Sequence, residues 1–127
     1  MTIVGPSGRT YDPLPIDNSG GFPQNFPLSL NGVGYQFSLY VNAPESSLGD
    51  MNEPMALPDA NRFLVVRVDT IGSDGTTQTI FLRKVTPSQE YQAGQIGLFF
   101  PTQTVVRQNL NQAGAFGSNV IGGVTSL

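Results

Sequence analysis

Apolar side chains recur at every second position on both sides of a short polar break near residue 31. Before the break, Phe26, Leu28 and Leu30 fall on one face; after it, Tyr35, Phe37, Leu39 and Val41 do the same. A period of two marks a strand with one face in a core. Asn31 and Gly32 tolerate the positive φ that a tight hairpin turn requires, and Gly34 extends the turn chemistry. Gln36, Ser38, Tyr40 and Asn42 take the alternate positions, so the opposite face is mostly wet, with Tyr40 the exception. A slip of one residue would carry the whole apolar set into water, so the register is strongly specified.

A second hairpin follows. Residues 62–69 are an apolar, β-branched run that fits a strand covered on both faces, although periodicity alone also admits a short buried helix. A turn is predicted at Ser73-Asp74-Gly75, and residues 78–85 pair back. Thr79, Phe81, Arg83 and Val85 share one face of that strand; Ile80, Leu82 and Lys84 share the other. Residues 88–94 admit a helical turn closed by Gly94. Residues 95–100 and 102–106 read as a short apolar strand and a further extended piece, separated by Pro101. The predicted fold is all-β: a small antiparallel sandwich or partly open barrel built from hairpins, with its β domain over residues 25–106.

The flanks look different. Residues 1–24 carry Pro13, Pro15 and Pro23 among four glycines, which suits neither a helix nor a central strand. Tyr11, Leu14, Ile16 and Phe22 are apolar hooks within this stretch. It reads as an extended N-terminal arm, either a loose terminus or a segment that docks on a neighbour. Residues 107–127 are rich in Gly and Asn, with Leu110, Phe116, Val120 and Ile121 isolated among them. They read as a mobile tail or a second docking arm. Both ends are expected to be mobile in the isolated chain and ordered in an assembly. Residues 43–61 form a long loop with Pro44, Pro54 and Pro58, with room for one helical turn around residues 46–53. Its acidic residues Glu45, Asp50, Glu53 and Asp59 lack the alternate ligand positions and closing Glu of a calcium loop. A solvated loop is expected there, and loops of this length often contact something.

Composition narrows the chemistry. The chain has 127 residues, one domain's worth. Charged residues make up 12%, about half the usual share. Net charge is −3 and the six basic residues are scattered, so no run exists to neutralise a phosphate backbone and no nucleic acid is expected as a partner. Histidine and cysteine are both absent, which excludes Ser-His-Asp and Cys-His catalysis and removes the imidazole and thiolate ligands. Lys84 lies mid-strand beside Arg83 and reads as a surface residue rather than the base of a Ser-Lys pair. No pair of carboxylates is picked out across a cleft, and no phosphate-binding or dinucleotide fingerprint occurs. No catalytic residue, cofactor or metal is therefore expected. No apolar run reaches the length of a membrane span, and the first residues lack the order of a signal peptide. Aromatic and large apolar residues outside the predicted core are interface candidates: Tyr11, Phe22, Tyr40, Tyr91, Phe99, Phe100, Leu110 and Phe116. Core packing is the competing role for each.

Residues 24–42 resemble the opening of the phage baseplate plug family. The likeness rests on Gln24, Phe26, Leu30-Asn31-Gly32, Tyr35, Phe37, Leu39 and Asn42. Residues 63–85 fill the places of the family's next two strands and their Asp-and-Gly turn. The chain departs in two ways: the Trp that often leads the third strand is absent, with Phe63 in its place, and the loop at 43–61 is longer. The resemblance covers roughly residues 24–100. It implies a small all-β structural protein in the baseplate of a contractile-tailed phage, at the hub that seals the distal end of the tail tube. It further implies several copies per virion, contacts with hub, tube or baseplate subunits, assembly in the host cytoplasm, and no catalytic residues. A capsid cement or decoration protein is the alternative, since it too uses small β domains with extended arms. A carbohydrate-binding sandwich would want rows of exposed Trp or Tyr, and Trp is absent.

Overall fold

The computed structural model describes residues 2–44, 54–59 and 61–127. Its strands are β1 (Ile3–Val4), β2 (Thr10–Pro13), β3 (Gln24–Leu30), β4 (Val33–Asn42), β5 (Pro54–Ala56), β6 (Phe63–Ile71), β7 (Thr77–Val85), β8 (Glu90–Ala93), β9 (Ile96–Val106) and β10 (Asn119–Ser126). The one helical element among the described residues is a 3₁₀ turn at Arg107–Asn109. No described helix is long and apolar enough to cross a membrane. The possible turn around residues 46–53, with Glu45, Asp50 and Glu53, lies outside the described residues.

Two antiparallel sheets form a sandwich. One is the meander β3-β4-β6-β7. The other runs β1-β2-β10-β9, with β8 and β5 side by side along the remaining edge of β9. The first hairpin is as the pattern predicts. Leu30 pairs with Val33 across a two-residue turn, and Asn31 and Gly32 both have positive φ (52° and 79°), the type I′ arrangement whose twist matches that of the strands. Tyr35, Phe37 and Leu39 are buried, while Phe26, Leu28, Leu30 and Val41 pack half-buried against the same core. The second hairpin also forms, so residues 62–69 belong to a strand and not a helix. Leu64, Val66 and Val68 face the core, and Ile80 is the extra residue at a bulge opposite Val68 and Asp69. Facing them from the other sheet are Ile96, Leu98, Phe100, Val105, Val120 and Val124.

Three expectations are corrected. Residues 88–94 are strand, not a helical turn: β8 folds back on β9 through Gly94 and Gln95, Ala93 pairing with Ile96. Pro101 does not interrupt the chain's next strand, because β9 runs straight through it. The register with β10 shifts there, and a bulge leaves a residue unpaired, so the missing proline N–H costs no ladder bond. Finally, the terminal segments run extended but are not held out for a neighbour. β10 lies between β2 and β9, and β1 and β2 complete that sheet. The stretches 1–24, 25–106 and 107–127 thus share one sandwich. A backbone this extended must pair its N–H and C=O groups somewhere, and the nearest open edges belong to its own chain.

Candidate functional site

The N- and C-terminal stretches meet at one end of the sandwich. The Phe22 N–H donates to Asn109 O (2.7 Å), and the Asn111 N–H donates to Phe22 O (2.5 Å). Phe22 and Leu110 thus form a parallel bridge. Polar side chains lock the junction. Asn109 is fully buried; its Nδ2 donates to Gly114 O (2.8 Å), and its Oδ1 accepts from Ser118 Oγ (2.6 Å). Ser118 Oγ in turn accepts the Val106 N–H (2.8 Å). Asn18 pairs its side-chain amide with the backbone of Val120, accepting its N–H at 2.6 Å and donating to its carbonyl at 3.3 Å. The Gln24 amide closes the turn before β3, accepting the Asp17 N–H (3.0 Å) and donating to Asp17 O (2.9 Å) and Gly21 O (2.8 Å).

A cleft of about 360 Å³ opens at this end, lined by Phe22, Pro23, Val41, Ala43, Arg107, Leu110 and Asn111. A second depression of about 310 Å³ shares Phe22, Pro23 and Asn111 with it and extends over Gly20, Gly21, Gln112 and Ala113. The walls are mixed: five apolar side chains share them with the Arg107 guanidinium, the exposed Asn111 amide and backbone polar groups. Such a surface suits seating a partner's side chains, in the manner of an interface pocket. The long segment that begins at Ala43 starts from its rim. Among the described residues, no group of three or more His, Cys, Asp or Glu is placed to hold a metal.

The sequence-predicted interface residues are spread over the molecule. Tyr11, Phe22, Tyr91, Phe99 and Phe100 are each buried within this chain and pack there, with Phe22 also lining the end cleft. Tyr11 and Phe99 meet at 5.7 Å on the outside of the β1-β2-β10-β9 sheet. Tyr91 meets Phe81 edge-on at 5.8 Å, lies under the Arg83 guanidinium and accepts the Thr86 N–H at 2.8 Å. Phe100 points into the sandwich. Their burial follows from β1, β2, β8 and β10 joining the sheet, which the weak pattern in those stretches did not announce. Tyr40, Leu110 and Phe116 remain half-buried. Leu110 lines the cleft, Phe116 packs beside Gly114, and Tyr40 lies on the outer face of the meander, paired with Val65. The structure therefore brings Phe22 and Leu110 together at the cleft and Tyr11 and Phe99 together in a separate buried cluster, and leaves the others apart.

Sequence reasoning missed Pro23, Val41, Ala43, Arg107 and Asn111, because no spacing links residue 23 to residues 41 and 107. Asn111 carried a signal: it has positive φ (65°), which Asn tolerates, in an Asn-rich stretch that reads as turns. Compared with known proteins, the chain matches no family model, no curated protein and no solved structure.

Proposed function

We propose that the protein is a structural subunit of a contractile phage tail baseplate, of the plug type. On this reading it docks on hub or neighbouring subunits through the end cleft and the long segment that starts at its rim. One observation carries the reading: the residues behind the resemblance hold structural posts in a single meander. Gln24 ties down the turn that precedes β3. Asn31 and Gly32 make the β3–β4 turn, and Tyr35, Phe37 and Leu39 form the inward row behind it. Phe63, in place of the family's Trp, opens β6 on the outer face, with Lys84 Nζ 5.1 Å from its ring centroid. The role is mechanical. A low-charge body sits between subunits without stranding unpaired charges, since there are few to desolvate.

Localisation in the particle tests this. Immunogold labelling of intact virions is expected to mark the distal tail tip, and cryo-EM to show density for the sandwich at the hub. Label on the head, as a capsid cement protein would give, or nowhere on the particle, overturns the proposal.

A further inference from the structure

A second, smaller core lies on the outer side of the β1-β2-β10-β9 sheet. β9 and β10 send Leu98, Phe100, Val120 and Val124 into the sandwich, and Phe99 and Ile121 the other way. Ile3 and Tyr11, paired across the β1–β2 hairpin, cover Phe99 and Ile121. Gly97 and Gly123 make the seat for the tyrosine. A Cβ at Gly123 would fall 2.6 Å from Tyr11 Cβ, and one at Gly97 would fall 3.5 Å from the Tyr11 ring.

The hairpin has few backbone ties to the body, and the Leu14 N–H to Gly122 O bond (2.8 Å) follows directly after it. Its strand pairing to the body is confined to Asp12 and Pro13 against Val124 and Gly123. Its side-chain tie is Glu90 at the start of β8. That carboxylate accepts from the Tyr11 hydroxyl (2.5 Å), the Ser7 N–H (2.8 Å) and the Ser7 hydroxyl (2.8 Å). The charged and titratable groups that act on Glu90 come from the hairpin, Tyr11 and Arg9; across the ladder on β9 it faces the uncharged Phe99. Hydrogen bonds to an ionised carboxylate are roughly twice as strong as neutral ones, so protonation weakens all three together. The hairpin gives no residue to the main core, which keeps β10 in place through Val120 and Val124.

We infer that residues 3–13 form an acid-released clasp: protonation of Glu90 frees the β1–β2 hairpin from its seat and uncovers Phe99 and Ile121, while the sandwich stays folded. The Tyr11 bond first, then those from Ser7, hold Glu90 below its ordinary carboxylate value. The tie is thus fully present above the ordinary glutamate range and lost as pH falls through the lowered folded value. This inference stands independently of the baseplate reading.

The six isoleucine δ-methyls provide the test. They are followed by NMR from neutral pH down to about pH 3, well below the ordinary glutamate range. Ile3 and Ile121 lie against aromatic rings in the clasp, and Ile96 lies in the main core. The Ile3 and Ile121 signals are expected to lose their ring-shifted positions together and reversibly, while Ile96 keeps its own. E90Q is expected to show the released positions at neutral pH with no acid transition. Y11F, which keeps the ring but loses one donor, is expected to release at higher pH than the natural chain. An Ile3 signal that does not move, an Ile96 signal that moves with the same midpoint, or E90Q signals identical to the natural chain each overturn the inference. So does an E90Q chain that loses the Ile96 signal.

Discussion

At the residue scale, the junction of the two ends hangs on Asn109. One side chain serves the Gly114 carbonyl and the Ser118 hydroxyl, and the Ser118 hydroxyl serves the Val106 N–H. Removing the amide leaves a carbonyl and a hydroxyl in the interior without that partner, which costs about 1–3 kcal/mol. Asn109→Ala is expected to lower stability by about 2 kcal/mol, read as a shift in the urea midpoint at unchanged slope. Asn109→Asp is expected to cost at least as much, because it removes the donor to Gly114 and buries a charge. Nothing in the sequence marks this residue among its Asn-rich neighbours, since a buried hydrogen bond to distant backbone leaves no local period. Asn31 is the contrasting case. Its neighbour Gly32 and the alternating strands on either side make its turn role plain from the amino-acid pattern alone.

At the element scale, β10 is where the sequence pattern and the structure diverge most. Residues 119–126 place Val120 and Val124 inward and Ile121 outward, but Gly122 and Gly123 interrupt the alternation that would have marked a strand. Those glycines are there for tertiary reasons: a Cβ at Gly122 would fall 2.5 Å from the Phe100 ring, and one at Gly123 would fall on Tyr11. What reads as a tail is therefore an inner strand bonded on both sides. Deleting residues 119–127 is expected to abolish the cooperative transition in calorimetry, because β2 loses the strand that links it to β9 and β9 loses one whole edge. Survival of a sharp transition near the full-length Tm would contradict that role. The meander behaves differently. β3 with β4 and β6 with β7 are hairpins that local pattern and local turns sufficed to place, whereas the β4–β6 pairing joins them across a long segment that sends β5 to the other sheet.

At the scale of the whole molecule, the charges set a broad stability plateau. Glu90 is held low by Tyr11 and Ser7, Asp69 by Thr79 and then Arg67, and Asp74 by Thr76. Each lowered carboxylate adds stability that is present above its ordinary value and is lost as pH falls through the folded one. Tyr11 is shifted the other way, raised above its ordinary 10.0 by burial first and then by its bond to Glu90. Its contribution is complete below the ordinary value and is lost as pH rises through the raised one. With no histidine to titrate between, thermal midpoints are expected to stay level from about pH 6 to 9 and to fall on both the acid and the alkaline side. A step near neutral pH would be inconsistent with this set of groups. The end cleft also belongs to this scale, because residues 22, 41, 107 and 110 become neighbours only when both sheets are closed.

The all-β class, both long hairpins, the Asn31-Gly32 turn and the inward rows of the meander were legible in the amino-acid pattern. Those features are local, and a period of two with the right turn residues leaves one register that keeps the apolar set dry. Long-range packing settled the rest: both ends join the β9 sheet, five of the eight interface candidates are buried, Glu90 ties down the N-terminal hairpin, and a cleft opens where the ends meet. Each of these rests on pairing between residues as many as about a hundred positions apart, as from Asn18 to Val120. Such pairing is selected by which backbone edges and apolar faces the rest of the fold leaves open, and a short window of sequence carries no record of that choice.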